Sequence, residues 1–192
     1  MTEATSLSPY AAERRFAIEA VASAARLTRA VREDFDLQAE AVSKADTSPV
    51  TVADLGAQAL VRMAMVEVLP GDGLMGEEDF GQLAESPELA EAVLSRVQTQ
   101  RPDVTLDDLR EALDGCDDPG GPGRRWWTLD PVDGTKGFLR DEQYAIALAL
   151  VEDGRVVLAA MGCPNLPYFG EPGDPDPTGP VGVLFVAELG AG

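Results

Sequence analysis

From Pro9 to Phe35 the apolar positions Phe16, Ala20, Leu27 and Val31 fall near a helical period among Ala, Glu and Arg, and the spacing predicts one long amphipathic helix. An irregular stretch over 43–50 follows, and Ser48-Pro49 closes off any helix before it, because a residue ahead of proline is pushed out of the α region. Thr51 then reads as an N-cap with Asp54 three residues on, ahead of the apolar positions Leu60, Val61, Met65 and Leu69. This second helix is expected to stop at Pro70-Gly71. Gly73-Leu74-Met75 is a short strand candidate that delivers Gly76-Glu77-Glu78-Asp79 at its end. From Phe80 to Gly123 the pattern becomes polar and helical, with helices expected near 88–99 and 106–113 and a Pro/Gly breaker over 117–123. That segment reads as a helical insertion, at about 80–123, between strands.

Arg125 to Leu129 and Tyr144 to Val151 are apolar, partly aromatic and suited to strands. Asp153-Gly154 joins the second of these to Arg155–Met161 as a hairpin, which predicts a central antiparallel pair. The Pro-, Gly- and Asp-rich segment 172–180 reads as an exposed loop before one more strand, Val181–Ala187. The chain then stops in a turn-like Glu188-Leu189-Gly190-Ala191-Gly192 with no returning strand, an ending expected of a chain cut rather than finished. No internal repeat is apparent.

Composition narrows the chemistry. With 192 residues, 45% of them hydrophobic, the chain is one domain with a sizeable core or a piece of a larger protein. No apolar run approaches the roughly 20 residues that span a bilayer, and Glu3 interrupts any leader-like start, so a soluble, cytoplasmic protein without a membrane partner is expected. Acidic residues outnumber basic ones 34 to 15, a net charge of -19 that repels a phosphate backbone and argues against a nucleic-acid polymer as partner. Most of that charge reads as solvated surface. Cys116 and Cys163 have no metal-ligand spacing and imply no disulfide framework. The absence of histidine excludes phosphohistidine, Ser-His-Asp and Cys-His chemistry and the usual imidazole sites. Any metal must be held by oxygen, which favours magnesium, manganese or calcium.

Three acidic segments are then of interest. Asp130 and Asp133 flank Pro131-Val132 just after an apolar strand, so both carboxylates are able to converge on a cation while proline stiffens the loop. The Val132 carbonyl is a further hard ligand. Gly134 permits a turn with positive φ, and the amides of Gly134 and Thr135 are candidates for an anion pocket. The same residues also suit a plain turn. Glu77 adds a carboxylate at the end of another strand, or is one of three solvated loop acids with Glu78 and Asp79. Asp54 either completes the cap of the second helix or activates a water beside the metals. Together the segments allow a two- or three-metal site that activates water and screens phosphate charge.

In order along the chain, Lys44 to Asp54 (KADTSPVTVAD), Gly76-Glu77-Glu78-Asp79, and Leu129 to Arg140 (LDPVDGTKGFLR) resemble the lithium-sensitive, magnesium-dependent phosphatase superfamily. That superfamily contains inositol monophosphatases, fructose-1,6-bisphosphatases and 3'(2'),5'-bisphosphate nucleotidases. Lys136-Gly137, where inositol monophosphatases typically carry x-Asn, together with Asp141 to Leu148 and Gly162 to Pro167, is similar to the eukaryotic-type bisphosphate nucleotidases.

The resemblance implies an α+β fold: a layered α/β sandwich of the inositol monophosphatase and fructose-1,6-bisphosphatase type. Residues 1–192 would form its N-terminal metal-binding domain, helices on a mostly antiparallel sheet, with the C-terminal α/β domain and its Trp-Asp motif missing. It implies removal of the 3'-phosphate from adenosine 3',5'-bisphosphate, and action on 3'-phosphoadenosine 5'-phosphosulfate, small-molecule partners from sulfur metabolism. Two or three Mg2+ ions are implied as cofactors. Glu77, Asp130 and the Val132 carbonyl would hold the first metal, Asp130 and Asp133 would share the second, and Glu77 would support a third. Asp54 and Thr135 would position and deprotonate the attacking water, and the amides of Gly134 and Thr135 would contact the phosphate. An inositol phosphate phosphatase and a catalytically inactive metal-binding module are the alternatives.

Overall fold

A computed structural model describes residues 8–39, 48–167 and 181–191. The Lys44–Thr47 part of the first motif and the segment 172–180 lie outside the described residues. Helix α1, Ala11–Ala39, is the long amphipathic helix its spacing predicts, burying Phe16, Ala20, Leu27 and Val31. Helix α2, Pro49–Val68, starts before Thr51: Ser48 is the N-cap in an extended conformation, and Pro49 occupies the first turn. Proline's fixed φ and missing N–H suit that position, so Thr51 lies inside the helix, and Asp54 falls in its second turn instead of completing a cap. The helix ends at Val68, with the Leu69 amide bonded back to the Met65 carbonyl, just ahead of Pro70-Gly71.

Strand β1, Gly73–Met75, leads to three helices, α3 (Gly81–Glu85), α4 (Pro87–Gln98) and α5 (Leu106–Asp114), where the sequence pattern shows two. They bury Leu83, Val93, Val97, Leu109 and Leu113 into the same core as α2. After them come β2 (Arg125–Asp133), α6 (Thr135–Leu139), β3 (Ala145–Glu152), β4 (Arg155–Pro167) and β5 (Val181–Glu188). The sheet order is β1-β2-β3-β4-β5, with β1 parallel to β2 and every other neighbour antiparallel. This is an α+β architecture on a mixed sheet.

Helices α1 and α2 cover one face of the sheet. There Phe16 meets Trp127 edge to face at 5.1 Å, and Leu60, Met65, Leu148 and Leu150 are buried beside them. On the other face a cross-strand row runs Asp130, Ala147, Met161, Phe185, in which Met161 and Phe185 remain 43% and 51% exposed. The hairpin between β3 and β4 turns at Asp153-Gly154 with φ values of 49° and 75°, the pair of positive angles a two-residue turn of this kind needs. No described helix is long and apolar enough to cross a membrane.

Candidate metal centre

Strand β2 does not stop at Leu129; it continues to Asp133, so the acidic run belongs to the strand's end and not to a free loop. Asp130 pairs with Ala147 and Asp133 with Ala145, leaving Pro131 and Val132 opposite a single residue. Proline has no N–H to give a ladder, and a bulge is the place in a sheet that tolerates it. The bulge buries Pro131 and Val132 and leaves Asp133 exposed and Asp130 half-buried. Gly134 follows with φ 94°, in the left-handed region, and turns the chain into α6.

The parallel pairing of β1 with β2 brings the next acid in. Met75 is in register with Thr128, so the chain leaving β1 and the chain continuing along β2 run off the same end of the sheet. Glu77 stands two residues beyond Met75, and Asp130 two residues beyond Thr128. Helix α2 packs against both β2 and α6, and its Asp54 lies within charge-interaction reach of Glu77, Glu78 and Asp130.

The electrostatics record this convergence. Burial, then the charges of Glu78, Glu77 and Asp130, push the Asp54 carboxyl up to about 8. Asp130 is also raised, first by burial and then by Glu77 and Asp133, while a hydrogen bond from the Val132 amide acts the other way. Asp130 Oδ1 is buried with no hydrogen-bond partner. A carboxylate oxygen in that position is costly unless a cation or a proton meets it. Asp54 lies within charge-interaction reach of Glu77, Glu78 and Asp130, and Asp130 within reach of Glu77 and Asp133, but among the described residues no three are gathered tightly enough to form a closed metal-binding group. The donor set consists of hard oxygens, and the orphaned Asp130 oxygen fits an oxygen-coordinated divalent cation such as magnesium.

Of the residues read from the sequence, Asp54, Glu77, Asp130 and Asp133 lie toward one end of the sheet, Asp130 in charge reach of the other three, with Val132 in the bulge. Gly134 and Thr135 are exposed at the start of α6. Asp54 and Thr135 make no hydrogen bond to each other, so the structure does not join them as a pair. Sequence reasoning missed Gln58. It lies four residues after Asp54 on α2, fully buried, and binds the backbone of Glu77 and Glu78. Its one signal is an amide inside the apolar run Leu55 to Val61. Cys116 is buried beside this helix, its thiol pushed up to about 12 mainly by burial, and neither cysteine is in a disulfide.

The inositol monophosphatase family model matches residues 12–192. Rice 3'(2'),5'-bisphosphate nucleotidase is 42% identical over 205 residues, covering 96% of this chain and 55% of that protein. The nucleotidase of Schizosaccharomyces pombe is 40% identical over 192 residues, covering 93% of this chain and 53% of its own length. The chain thus spans about half the length of the curated relatives it matches. Among solved structures, CysQ from Bacteroides thetaiotaomicron, a bacterial member of the inositol monophosphatase family, is 20% identical at a TM-score of 0.46, over 94% of this chain and 47% of that one.

Proposed function

Because the chain belongs to the inositol monophosphatase family, we propose that it carries the metal-binding and water-activating groups of a magnesium-dependent phosphomonoesterase whose substrate is adenosine 3',5'-bisphosphate, cleaved at the 3'-phosphate. The observation that supports this best is Asp130 where β1 and β2 end, its Oδ1 buried and unpartnered and its carboxyl within charge reach of Asp54, Glu77 and Asp133. The substrate assignment rests on the relatives' names and on the nucleotidase-like Lys136-Gly137. Action on 3'-phosphoadenosine 5'-phosphosulfate and inhibition by lithium belong to the same reading.

Glu77, Asp130 and the Val132 carbonyl would hold one magnesium ion and Asp130 with Asp133 a second, Glu77 also serving a third. Bound there, magnesium supplies Lewis-acid screening of phosphate charge and acidifies water. The remaining work falls to the protein. Asp54, half-buried at the margin of the acids, takes the proton of the attacking water, oriented together with the Thr135 hydroxyl. As the N-cap and first residue of α6, Gly134 and Thr135 stand where helix amides have no place in the i→i−4 ladder, and their amides would orient the phosphate oxygens.

Calorimetry and phosphate release test the reading together. Magnesium binds the wild-type chain, and Asp130→Asn weakens it at least about 10-fold while circular dichroism stays native. Equal magnesium affinity in Asp130→Asn rejects the site. Faster phosphate release from inositol phosphates than from adenosine 3',5'-bisphosphate replaces the nucleotidase assignment, and magnesium binding without release from either identifies an inactive metal-binding module.

A further inference from the structure

The loop that carries Glu77 has almost no ladder to hold it. Pairing of β1 with β2 ends at Met75, and the Gly76 amide is the last to find a backbone partner, the Cys116 carbonyl, at 2.9 Å. The next two amides, of Glu77 and Glu78, both donate to one side-chain atom, Gln58 Oε1, at 2.9 and 3.0 Å. Gln58 Nε2 returns a bond to the Glu78 carbonyl at 2.5 Å. The carboxamide therefore grips the Glu77-Glu78 backbone through two acceptances and one donation. It is 0% exposed, and its neighbours Leu55, Ala57, Ala59, Leu60 and Val61 show that this stretch of α2 is built for core. An apolar residue there would pack without the desolvation a buried amide must offset through its hydrogen bonds.

The contact is also close from the other side. A Cβ on Gly76 would lie 2.5 Å from Gln58 Cδ, a separation real side chains do not reach, so any side chain at position 76 has to push the carboxamide seated over it aside. Four residues before Gln58 on the same helical face stands Asp54. One rigid turn of helix thus carries Asp54 at one end and, at the other, the clamp on the backbone of Glu77.

We infer that Gln58 is a positioning residue: it fixes the Glu77 carboxylate relative to Asp54 by tying the loop after β1 to α2, and so sets the geometry in which Glu77 meets a divalent cation. The inference rests on the proposed metal role of Glu77. It also explains how two adjacent acids stay beside a half-buried third against their mutual repulsion, since the three hydrogen bonds act on backbone atoms and do not depend on side-chain charge.

Gln58→Met keeps the length and approximate volume and removes all three bonds; Gly76→Ala displaces the same carboxamide while leaving it intact. Both are compared with the wild-type chain by magnesium calorimetry, amide hydrogen exchange and thermal melting. The expected result is magnesium affinity lower by about 10- to 100-fold, the range for loss of a group that orients a metal ligand. The Glu77 and Glu78 amides exchange faster, and those of β3 and β4 stay as protected as before. If Gln58→Met does not fold, Gly76→Ala gives the same reading. A lower melting temperature with magnesium affinity unchanged means a purely structural amide and overturns the inference. No magnesium binding by the wild-type chain overturns the metal role of Glu77 and the inference with it, whereas wild-type binding that survives both variants overturns the inference alone.

Discussion

Asp54 shows how much a single side chain depends on its surroundings. As a cap it would be an exposed carboxylate favoured by the helix dipole; in the second turn of α2 burial first, and then the acids around it, raise it to about 8. An unfolded aspartate titrates near 3.9. The folded state thus favours the protonated form, and the stability linked to this group is fully present below about pH 4 and lost as pH rises toward 8. Thermal melts in EDTA are therefore expected to fall across that window. Asp54→Asn, which cannot ionise, is expected to melt higher than wild type at pH 8 and alongside it near pH 4. Parallel pH profiles for the two proteins would reject the burial of this charge. Magnesium is expected to raise the wild-type melting temperature at pH 8, because a bound cation favours the ionised acids.

At the scale of elements, β2 is fixed at both ends for different reasons. Its far end carries the bulge and the acids. Its near end is tied by Arg125, which donates to Asp72, Glu13 and Glu152, and by Trp127, whose Nε1 donates to Asp72 Oδ2 at 2.8 Å. Trp127 is wholly buried, so loss of its acceptor strands a donor in the core. Asp72→Ala is expected to cost about 1–3 kcal/mol, read from the urea midpoint, with magnesium affinity preserved because the acids lie at the other end of the strand. Wild-type stability in that variant would show that the Trp127 bond contributes nothing net. The hairpin after β3 was legible at this scale: Asp153-Gly154 names its own turn, since few residues accept two consecutive positive φ values. The limits of β2 were not, because Pro131 argues against a strand locally and only the bulge opposite Ala145–Ala147 makes room for it.

Across the whole molecule, helices cover one face of the sheet and leave the row through Ala147, Met161 and Phe185 on the other. Two large apolar side chains near half exposure on adjacent strands form a patch of the kind that binds apolar probes. Anilinonaphthalene sulfonate fluorescence is expected to drop in Met161→Ser/Phe185→Ser, with the far-ultraviolet spectrum unchanged; undiminished fluorescence would place the apolar surface elsewhere. The net charge of -19 bears on the molecule as a whole, and against that background Asp54 and Asp130 are marked out by partial burial and raised carboxyls, while Glu77 and Asp133 beside them are exposed.

The sequence by itself determined α1, the body of α2, α4 and α5, the β3–β4 hairpin and the oxygen-only donor set, because helical period, turn chemistry and the absence of histidine are local or compositional facts. Motif order carried the family. What the tertiary structure alone decided is which ends meet. Glu77 comes within charge-interaction reach of Asp130 because β1 lies parallel to β2 with Met75 beside Thr128, a register set by long-range pairing that no residue near Glu77 encodes. Gln58 was invisible for the same reason: a buried amide in an apolar helix is an anomaly along the chain, and it becomes a clamp only when folding brings the Glu77 and Glu78 backbone to it.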